Sequence, residues 1–379
     1  MNTKVLITGG AGFIGSNLAK KLLKMHYDIT ILDNLSEQVH GTNPESTSPL
    51  YRSIKNKVNF IYGDVQNKKD WVKALKDIEL VIHFAAETGT GQSMYEISKY
   101  CNVNIIGTAV FLDYIINYKH SIKKVIVASS RAVYGEGKYY CQEDGFVFPD
   151  ERNETDLLNG DFEPVCPHCL KSVSVTPTDE NSKLHPSSIY GITKLTQEKM
   201  LLSILQPLKI PIVALRYQNV YGPGQSLSNP YTGILSIFST LIKSNKKINI
   251  FEDGLESRDF VYISDVIDAT ILAIENSAAN YQIFNVGSGT SVTVLDVVKK
   301  LINLYDISVP FYIRGNFRLG DIRHNLADLS KIKKILGFLP KYSFNQGITI
   351  FSEWVNQQKL DKSEYESSLN IMKSKNLLK

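Results

Sequence analysis

Near its start the chain reads Lys4-Val5-Leu6-Ile7-Thr8-Gly9-Gly10-Ala11-Gly12-Phe13-Ile14-Gly15. An apolar, strand-like run leads into glycines spaced G-x-x-G-x-x-G, and from Ile14 to Lys24 apolar residues recur at helical spacing. In such a strand–turn–helix the first glycine makes the tight turn. The second lets backbone approach a pyrophosphate, and the third lets helix and strand pack closely. The free N–H groups at the helix start then face the phosphates with a partial positive charge.

Further strands are expected at Asp28–Asp33, Val58–Tyr62, Leu80–Phe84, Lys124–Ser129 and Pro211–Tyr217, with a helical pattern over Val103–Tyr118. Strand–helix alternation predicts an α/β fold, a doubly wound parallel (Rossmann) sheet buried on both faces, which accounts for runs such as Val125-Ile126-Val127. We expect a dinucleotide-binding domain over 1–220, interrupted at about 137–184 by a polar insertion holding three of the four cysteines. A smaller α/β substrate domain follows over 221–379, with about 255–275 packing back on the first. The Lys- and Ser-rich C-terminal tail reads as an exposed helix or frayed end.

The composition of the 379 residues, 43% hydrophobic and 21% charged, is that of a globular chain rather than a disordered one. A net charge of +4 is too balanced to predict a nucleic-acid partner. No apolar run reaches the ~18 residues of a membrane helix, no signal-peptide pattern is read, and four cysteines do not make a disulfide scaffold. The expectation is a cytoplasmic protein with neither membrane nor nucleic acid as partner.

Asp33 ends the second strand 18 residues after Gly15. A carboxylate there accepts hydrogen bonds from the adenosine ribose and repels a 2′-phosphate; with Asn34 next, rather than Arg or Lys, it favours NAD over NADP. Tyr190-Gly191-Ile192-Thr193-Lys194 is a Tyr-x-x-x-Lys pair. On a helix it sets an ammonium beside a phenol, stabilises the phenolate and makes the tyrosine a usable base for an alcohol proton. Ser129-Ser130 closes a strand at the carboxyl edge of the sheet, where ligands bind in such folds.

These motifs occur in a fixed order. After the glycines and Asp33 come Gly63-Asp64-Val65, His83-Phe84-Ala85-Ala86, Asn104-Ile105-Ile106-Gly107-Thr108, Ser129-Ser130 before Val133-Tyr134-Gly135, Tyr190/Lys194, and Arg216-Tyr217-Gln218-Asn219-Val220-Tyr221-Gly222-Pro223. From Lys4 to about Trp354 the chain resembles the extended short-chain dehydrogenase/reductases of the nucleotide-sugar epimerase/dehydratase group. The resemblance implies that Tyr190 is the base, Lys194 anchors the nicotinamide ribose and tunes Tyr190, and Ser130 bonds the reacting sugar oxygen. It implies that Gly9, Gly12, Phe13, Ile14, Gly15, Asp33 and Asn34 hold a tightly bound NAD. Asp64 and Val65 would sit near the adenine, and Ala85, Ala86, Asn104 and Tyr217 would line the cofactor. Asn219 would reach the sugar nucleotide, and Arg258 and Arg318 match arginines that hold its diphosphate or nucleoside. A homodimer through the helices of Asn104 and Tyr190 is also implied.

Dehydratases of this group carry an Asp-Glu pair directly after the serine or threonine; here Arg131 and Ala132 stand there, which disfavours dehydration. Three stretches carry a narrower resemblance: 32–41, 86–95 and Gly224-Gln225-Ser226-Leu227-Ser228-Asn229-Pro230-Tyr231-Thr232-Gly233. They are similar to the dTDP-L-rhamnose 4-epimerase group, which interconverts dTDP-L-rhamnose and dTDP-6-deoxy-L-talose for polysaccharide formation. Glu87, Thr88 and Gln92 would then lie on a loop facing the sugar. The alternatives are a UDP-hexose 4-epimerase, a nucleotide-4-ketosugar reductase and, from another class, a non-catalytic NAD-binding sensor. Gln218 departs from the aromatic residue common at its position.

The insertion carries Cys141-Gln142-Glu143-Asp144 and Cys166-Pro167-His168-Cys169. Cys-x-x-Cys with an internal proline resembles half of a zinc ribbon. Cys141, Cys166 and Cys169 would supply three ligands of a structural zinc and Asp144 or His168 the fourth; the alternative is a degenerate ribbon with free thiols. Leu170 replaces the glycine usual after such a knuckle.

Overall fold

The computed structural model describes residues 2–231, 233–360 and 365–379; Thr232, within the 224–233 stretch quoted above, lies outside the described residues. Strands β1 (Lys4–Thr8), β2 (Asp28–Asp33), β3 (Asn59–Tyr62), β4 (Leu80–His83), β5 (Lys124–Ser130), β6 (Ile212–Tyr217) and β7 (Ile283–Val286) form one parallel sheet in the order β7-β6-β5-β4-β1-β2-β3. Six of them lie where the apolar runs place them. The seventh comes from the C-terminal half and pairs with β6 from Ile283↔Ala214 to Val286↔Tyr217. The sheet thus reclaims more of the second half than the 255–275 stretch.

Helices cover both faces. On one lie α1 (Phe13–Lys24) and a later helix, Ile263–Glu275, burying Leu18, Leu22, Val266 and Ile267 against alternate sheet residues such as Val5, Ile7 and Ile126. On the other lie α2 (Gly107–Asn117) and α3 (Ile189–Leu205), which bury Phe111, Ile115, Leu201 and Leu205 with Leu6, Val81 and Val125. Each such side chain is worth roughly 1.5–3 kcal/mol of burial, so the strands must be apolar on both sides. A buried ion pair locks α3 to the sheet. Arg216 on β6 forks onto Glu198 on α3 at 3.1 and 2.6 Å, and Ser129 donates to the same carboxylate at 2.7 Å. Ser130 stands opposite Tyr217 in the β5–β6 register, so both side chains emerge at the carboxyl edge.

The insertion forms its own three-stranded antiparallel sheet from Tyr139–Cys141, Gly145–Val147 and Ser174–Val175. The C-terminal part adds a sheet of Asn219–Tyr221, Ser257–Tyr262 and Ser291–Thr293, a paired Ile248–Ile250 and Phe311–Ile313, and helices between them. The tail is not frayed: Tyr365–Ser374 is helical, with Tyr365, Ser368 and Met372 buried, and Leu378 bridges Arg318. No helix among the described residues is long and apolar enough to cross a membrane.

Candidate active site

The first glycine turn is tight for steric reasons. Gly9 has φ +67°, and a Cβ there would meet Ala85 N at 2.7 Å; a Cβ on Gly15 would stand 2.4 Å from Gly9 O. Helix α1 starts at Gly12 with no side-chain cap and no acid in its first turn, leaving its N–H groups free for an anion. In front of it lies a cleft of about 780 Å³ lined by Gly9, Gly12, Phe13, Ile14, Gly15, Asp33, Asn34, Val65, Ala85, Ala86 and Tyr217 among others. Asp33 accepts from the N–H groups of Ala11 and Leu35, both at 2.9 Å. The donor set, the close backbone and the volume fit NAD.

Three expected contacts fall elsewhere. Asn104 is fully buried and does not line the cleft: its Oδ1 accepts from Glu87 N at 2.9 Å, and its Nδ2 donates to Glu87 O and Thr193 Oγ1. It ties the 85–88 loop to α3. Gln92 lies behind the same loop, where it exchanges hydrogen bonds with Gln38 at 3.0 and 3.1 Å and accepts from Tyr100. Asp64 accepts from Asn34 Nδ2 at 2.9 Å, beside the cleft rather than in its lining. Glu87, which pairs with Lys99 at 3.1 Å, and Thr88, both expected to face the sugar, line this cleft. Sequence reasoning missed His40, a buried ring that also lines the cleft, 3.9 Å from Asp33 and 2.8 Å from Ser48 Oγ. Burial pushes its pKa down, against the pull of Asp33.

Tyr190 opens α3, where the Ser188 cap accepts from Gly191 N at 3.1 Å and Ser93 Oγ accepts from Tyr190 N at 3.0 Å. Its phenol is pushed above the ordinary tyrosine pKa by burial, while a hydrogen bond with Ser130 and the charge of Arg131 pull it back. Lys194, expected to share that tuning, lines the same cleft; it donates to Gln197 at 2.6 Å, and its own pKa is pushed down to about 7 by burial against the pull of Glu198. Arg131, read from sequence only as a missing acid, is the cation beside the phenol; burial and Arg258 lower its pKa to about 10.

Ser130 and Tyr190 belong to the walls of both the cleft and a second cavity of about 290 Å³. The second is lined by Arg131, Gln218, Asn219, Arg258, Arg318 and Glu256 among others, and is closed by Tyr365, Ser368 and Met372 of the tail helix. Six buried polar atoms of its lining, Gln218 Oε1, Asn219 Oδ1, Gln225 Oε1, Asn249 Oδ1, Glu256 Oε2 and Arg318 Nε, have no hydrogen-bond partner within the protein. Leaving such atoms unpaired is costly, so the cavity is built for a polar ligand. Arg318 is aimed there by Asp321 at 2.7 Å and stacks on Phe251 at 5.0 Å. Arg258 is more constrained, donating to the carbonyls of Ser257, Arg323 and Ile322 and to Asp321. Asp321, flanked by these cations, is held well below the usual carboxylate range although burial opposes it.

The NAD dependent epimerase/dehydratase family matches residues 5–287, from the first to the last strand of the sheet. The chain belongs to that family. A dTDP-L-rhamnose 4-epimerase of Burkholderia thailandensis is 36% identical over 94% of this chain and 95% of its own length. A putative UDP-glucose 4-epimerase of Methanocaldococcus jannaschii is 31% identical over 93% and 98%. The crystal structure of UDP-glucuronic acid 4-epimerase from Bacillus cereus with UDP-glucuronic acid and NAD is 27% identical, with TM-score 0.76 over 94% of this chain and 99% of that one. As a member of the epimerase/dehydratase family the chain is an NAD-dependent enzyme, and its cleft adjoins a second cavity that shares Ser130 and Tyr190.

The insertion brings the ligand atoms of Cys141, Asp144, Cys166 and Cys169 within 4.8 Å of one another; His168 is exposed and outside the group.

Proposed function

We propose that the protein inverts C4 of a nucleotide-activated 6-deoxyhexose, converting dTDP-L-rhamnose to dTDP-6-deoxy-L-talose through a transient 4-keto sugar. The observation that carries this reading is the wall shared by the two cavities: Ser130 and Tyr190 face both, and the residues after Ser130 are Arg131 and the buried Ala132, neither able to protonate a leaving hydroxyl. The similarity to the Burkholderia enzyme supports the choice of sugar.

The glycine turn, Asp33, Ala85, Ala86 and Tyr217 would hold NAD, with Lys194 on its nicotinamide ribose. When bound, NAD supplies reversible hydride exchange at the sugar carbon that carries the reacting hydroxyl. Tyr190 Oη takes the proton of that hydroxyl and later returns it, and Ser130 holds the oxygen in register. Arg131 offsets the charge on the phenolate. Arg318, Asn219 and the buried amides grip the nucleotide end, while the sugar end stays free to present its other face. Glu87 and Thr88 lie on the loop beside it. We also propose a cytoplasmic homodimer, supported by exposed Ile106 and Ile192 at the helices the resemblance assigns to that contact; light scattering on the purified protein tests it.

Proton NMR of the protein with dTDP-L-rhamnose and no added cofactor tests the reaction. Appearance of the C4 epimer, lost in Tyr190→Phe, is the expected result. Conversion of UDP-hexoses instead would retain the chemistry and overturn the substrate.

A further inference from the structure

We propose that Cys141, Asp144, Cys166 and Cys169 bind one divalent metal ion of the zinc class, and that this site closes the segment of the insertion that rests on the substrate side of the enzyme. The proposal does not depend on which sugar is converted.

The two halves of the cluster have the same local construction. Cys141-Gln142-Glu143-Asp144 is followed by Gly145 at φ +73°, and Cys166-Pro167-His168-Cys169 by Leu170 at φ +60°. The left-handed residue reverses the chain so that the first and fourth side chains of each half converge. A leucine adopts that conformation only against a steric cost, so the surrounding structure must impose it. Each turn is closed by a strand pair, Cys141↔Gly145 in one and the Val165↔Ser172 bridge in the other. In the second, Leu170 N donates to Cys166 O at 3.0 Å and Cys166 N to Lys171 O at 2.8 Å. Asp144 therefore occupies the position that Cys169 holds in the other knuckle, which settles the choice between Asp144 and His168 on geometry.

The four donors meet at one point. Cys141 Sγ lies 3.4 Å from Cys169 Sγ, Asp144 Oδ2 lies 3.1 Å from Cys166 Sγ and 3.7 Å from Cys141 Sγ, and all four stay within 4.8 Å. A tetrahedral ion with Zn–S bonds of about 2.3 Å spaces its sulfurs roughly 3.8 Å apart. A disulfide needs about 2.05 Å and would leave the other thiol and the carboxylate without a role. Three sulfurs and one oxygen around a tetrahedral point suit zinc before magnesium, calcium or copper(II).

The site is far from idle with respect to the cavity. The segment it closes carries Arg152, which donates to Glu252 at 2.9 Å and to Asp321 O at 3.0 Å, and Glu163, which pairs with Arg323. Asp321 and Glu252 both line the sugar-nucleotide cavity. A tied insertion thus holds the far wall of that cavity in place. Binding converts thiols to thiolates, with their protons leaving to solvent.

The test is elemental analysis of the full-length protein purified without added metal, followed by exchange for Co²⁺ and absorption spectroscopy. The expected result is close to one zinc per chain, visible d–d bands of tetrahedral Co²⁺, and a near-ultraviolet charge-transfer band from thiolate ligands. Asp144→Ala should lose the ion to a chelator that leaves the wild type loaded, and Asp144→His should restore it; Cys101→Ser should change nothing. Folded, reduced wild-type protein that holds no zinc and gives no such bands on titration with Co²⁺ would overturn the proposal. So would a Cys141–Cys169 disulfide found by mass spectrometry of the native protein, or an Asp144→Ala variant with an unchanged cobalt spectrum.

Discussion

Gly191 sits one residue beyond the proposed base, and Gly191→Ala probes how closely the catalytic pieces are held. An added Cβ would stand 2.5 Å from Ala132 O and 2.8 Å from Pro186 Cβ, where real contacts do not fall below 3.0 Å, so backbone must yield by at least about 0.5 Å. The carbonyl belongs to the Arg131–Tyr134 turn, which Ser130 Oγ caps by accepting from Ala132 N at 3.2 Å. Whichever side moves, Tyr190 separates from Ser130 and Arg131. Overpacking of this kind costs about 1–3 kcal/mol, and the better helix propensity of alanine offsets up to about 1 kcal/mol, so the variant should fold with a modestly lower Tm. Since a 1 Å misplacement can cost roughly 100-fold in rate, half of that predicts a kcat loss of about tenfold. Bound NAD and KM should change little, because Gly191 lines neither cavity. The assay is initial rates at saturating sugar nucleotide beside a thermal melt and the cofactor content. A folded variant with kcat within about twofold of wild type would refute the claim that this contact sets the Ser130–Tyr190 geometry.

Other perturbations follow from the same geometry. Arg131→Met removes a cation that favours the phenolate, so the rising limb of the pH–rate profile should move to higher pH; an unmoved limb would show that Arg131 does not tune Tyr190. Glu198→Gln leaves Arg216 buried without its counter-ion and should cost about 3–5 kcal/mol in urea unfolding; a loss under about 1 kcal/mol would contradict a structural role for the pair. Burial raises Glu256 to about 7 from 4.5, so its contribution to stability is fully present below pH 4.5 and lost as pH rises through about 7. In Glu256→Gln the Tm should depend less on pH across that window, as differential scanning calorimetry can show. Stripping metal with a chelator under reducing conditions should lower Tm and raise KM for the sugar nucleotide while NAD stays bound; zinc should restore both.

How much of the fold the sequence disclosed depended on how each segment is buried. Strands covered on both faces by helices must be apolar at every position, and six of the seven in the sheet read directly from that rule. Strand β7 did not, because Ile283-Phe284-Asn285-Val286 is short and carries a polar residue. Asn285 is there to donate to Thr178 O and to accept from Tyr134 OH, ties to residues more than a hundred positions away. The tail is helical, one of the two expected alternatives, but its burial was hidden for the opposite reason. Tyr365, Leu369 and Met372 are its few apolar anchors, diluted by lysines and serines on the outer face, and a mean composition hides so narrow a stripe.

The site divides along the same line between what a motif specifies and what tertiary packing decides. Glycine spacing, Asp33 and Tyr190 have local requirements, namely a turn, a strand end and a helix start, and these can be read from neighbouring residues. Asn104 and Gln92 carry the same polar chemistry as cofactor or sugar ligands, yet each is spent on backbone or side-chain partners inside the protein, a distinction invisible without their neighbours. Arg131 shows the converse. Judged by its inability to donate a proton it counted only against dehydration. Its charge, set among those of Arg258, Asp321 and Tyr190, pulls the raised pKa of the proposed base back down. Lys194, restrained by Gln197, lines the cofactor cleft beside Tyr190. In the proposed mechanism the motif supplies the base and the fold its counter-charge, so the choice of residue after Ser130 bears on which proton transfers the site can perform.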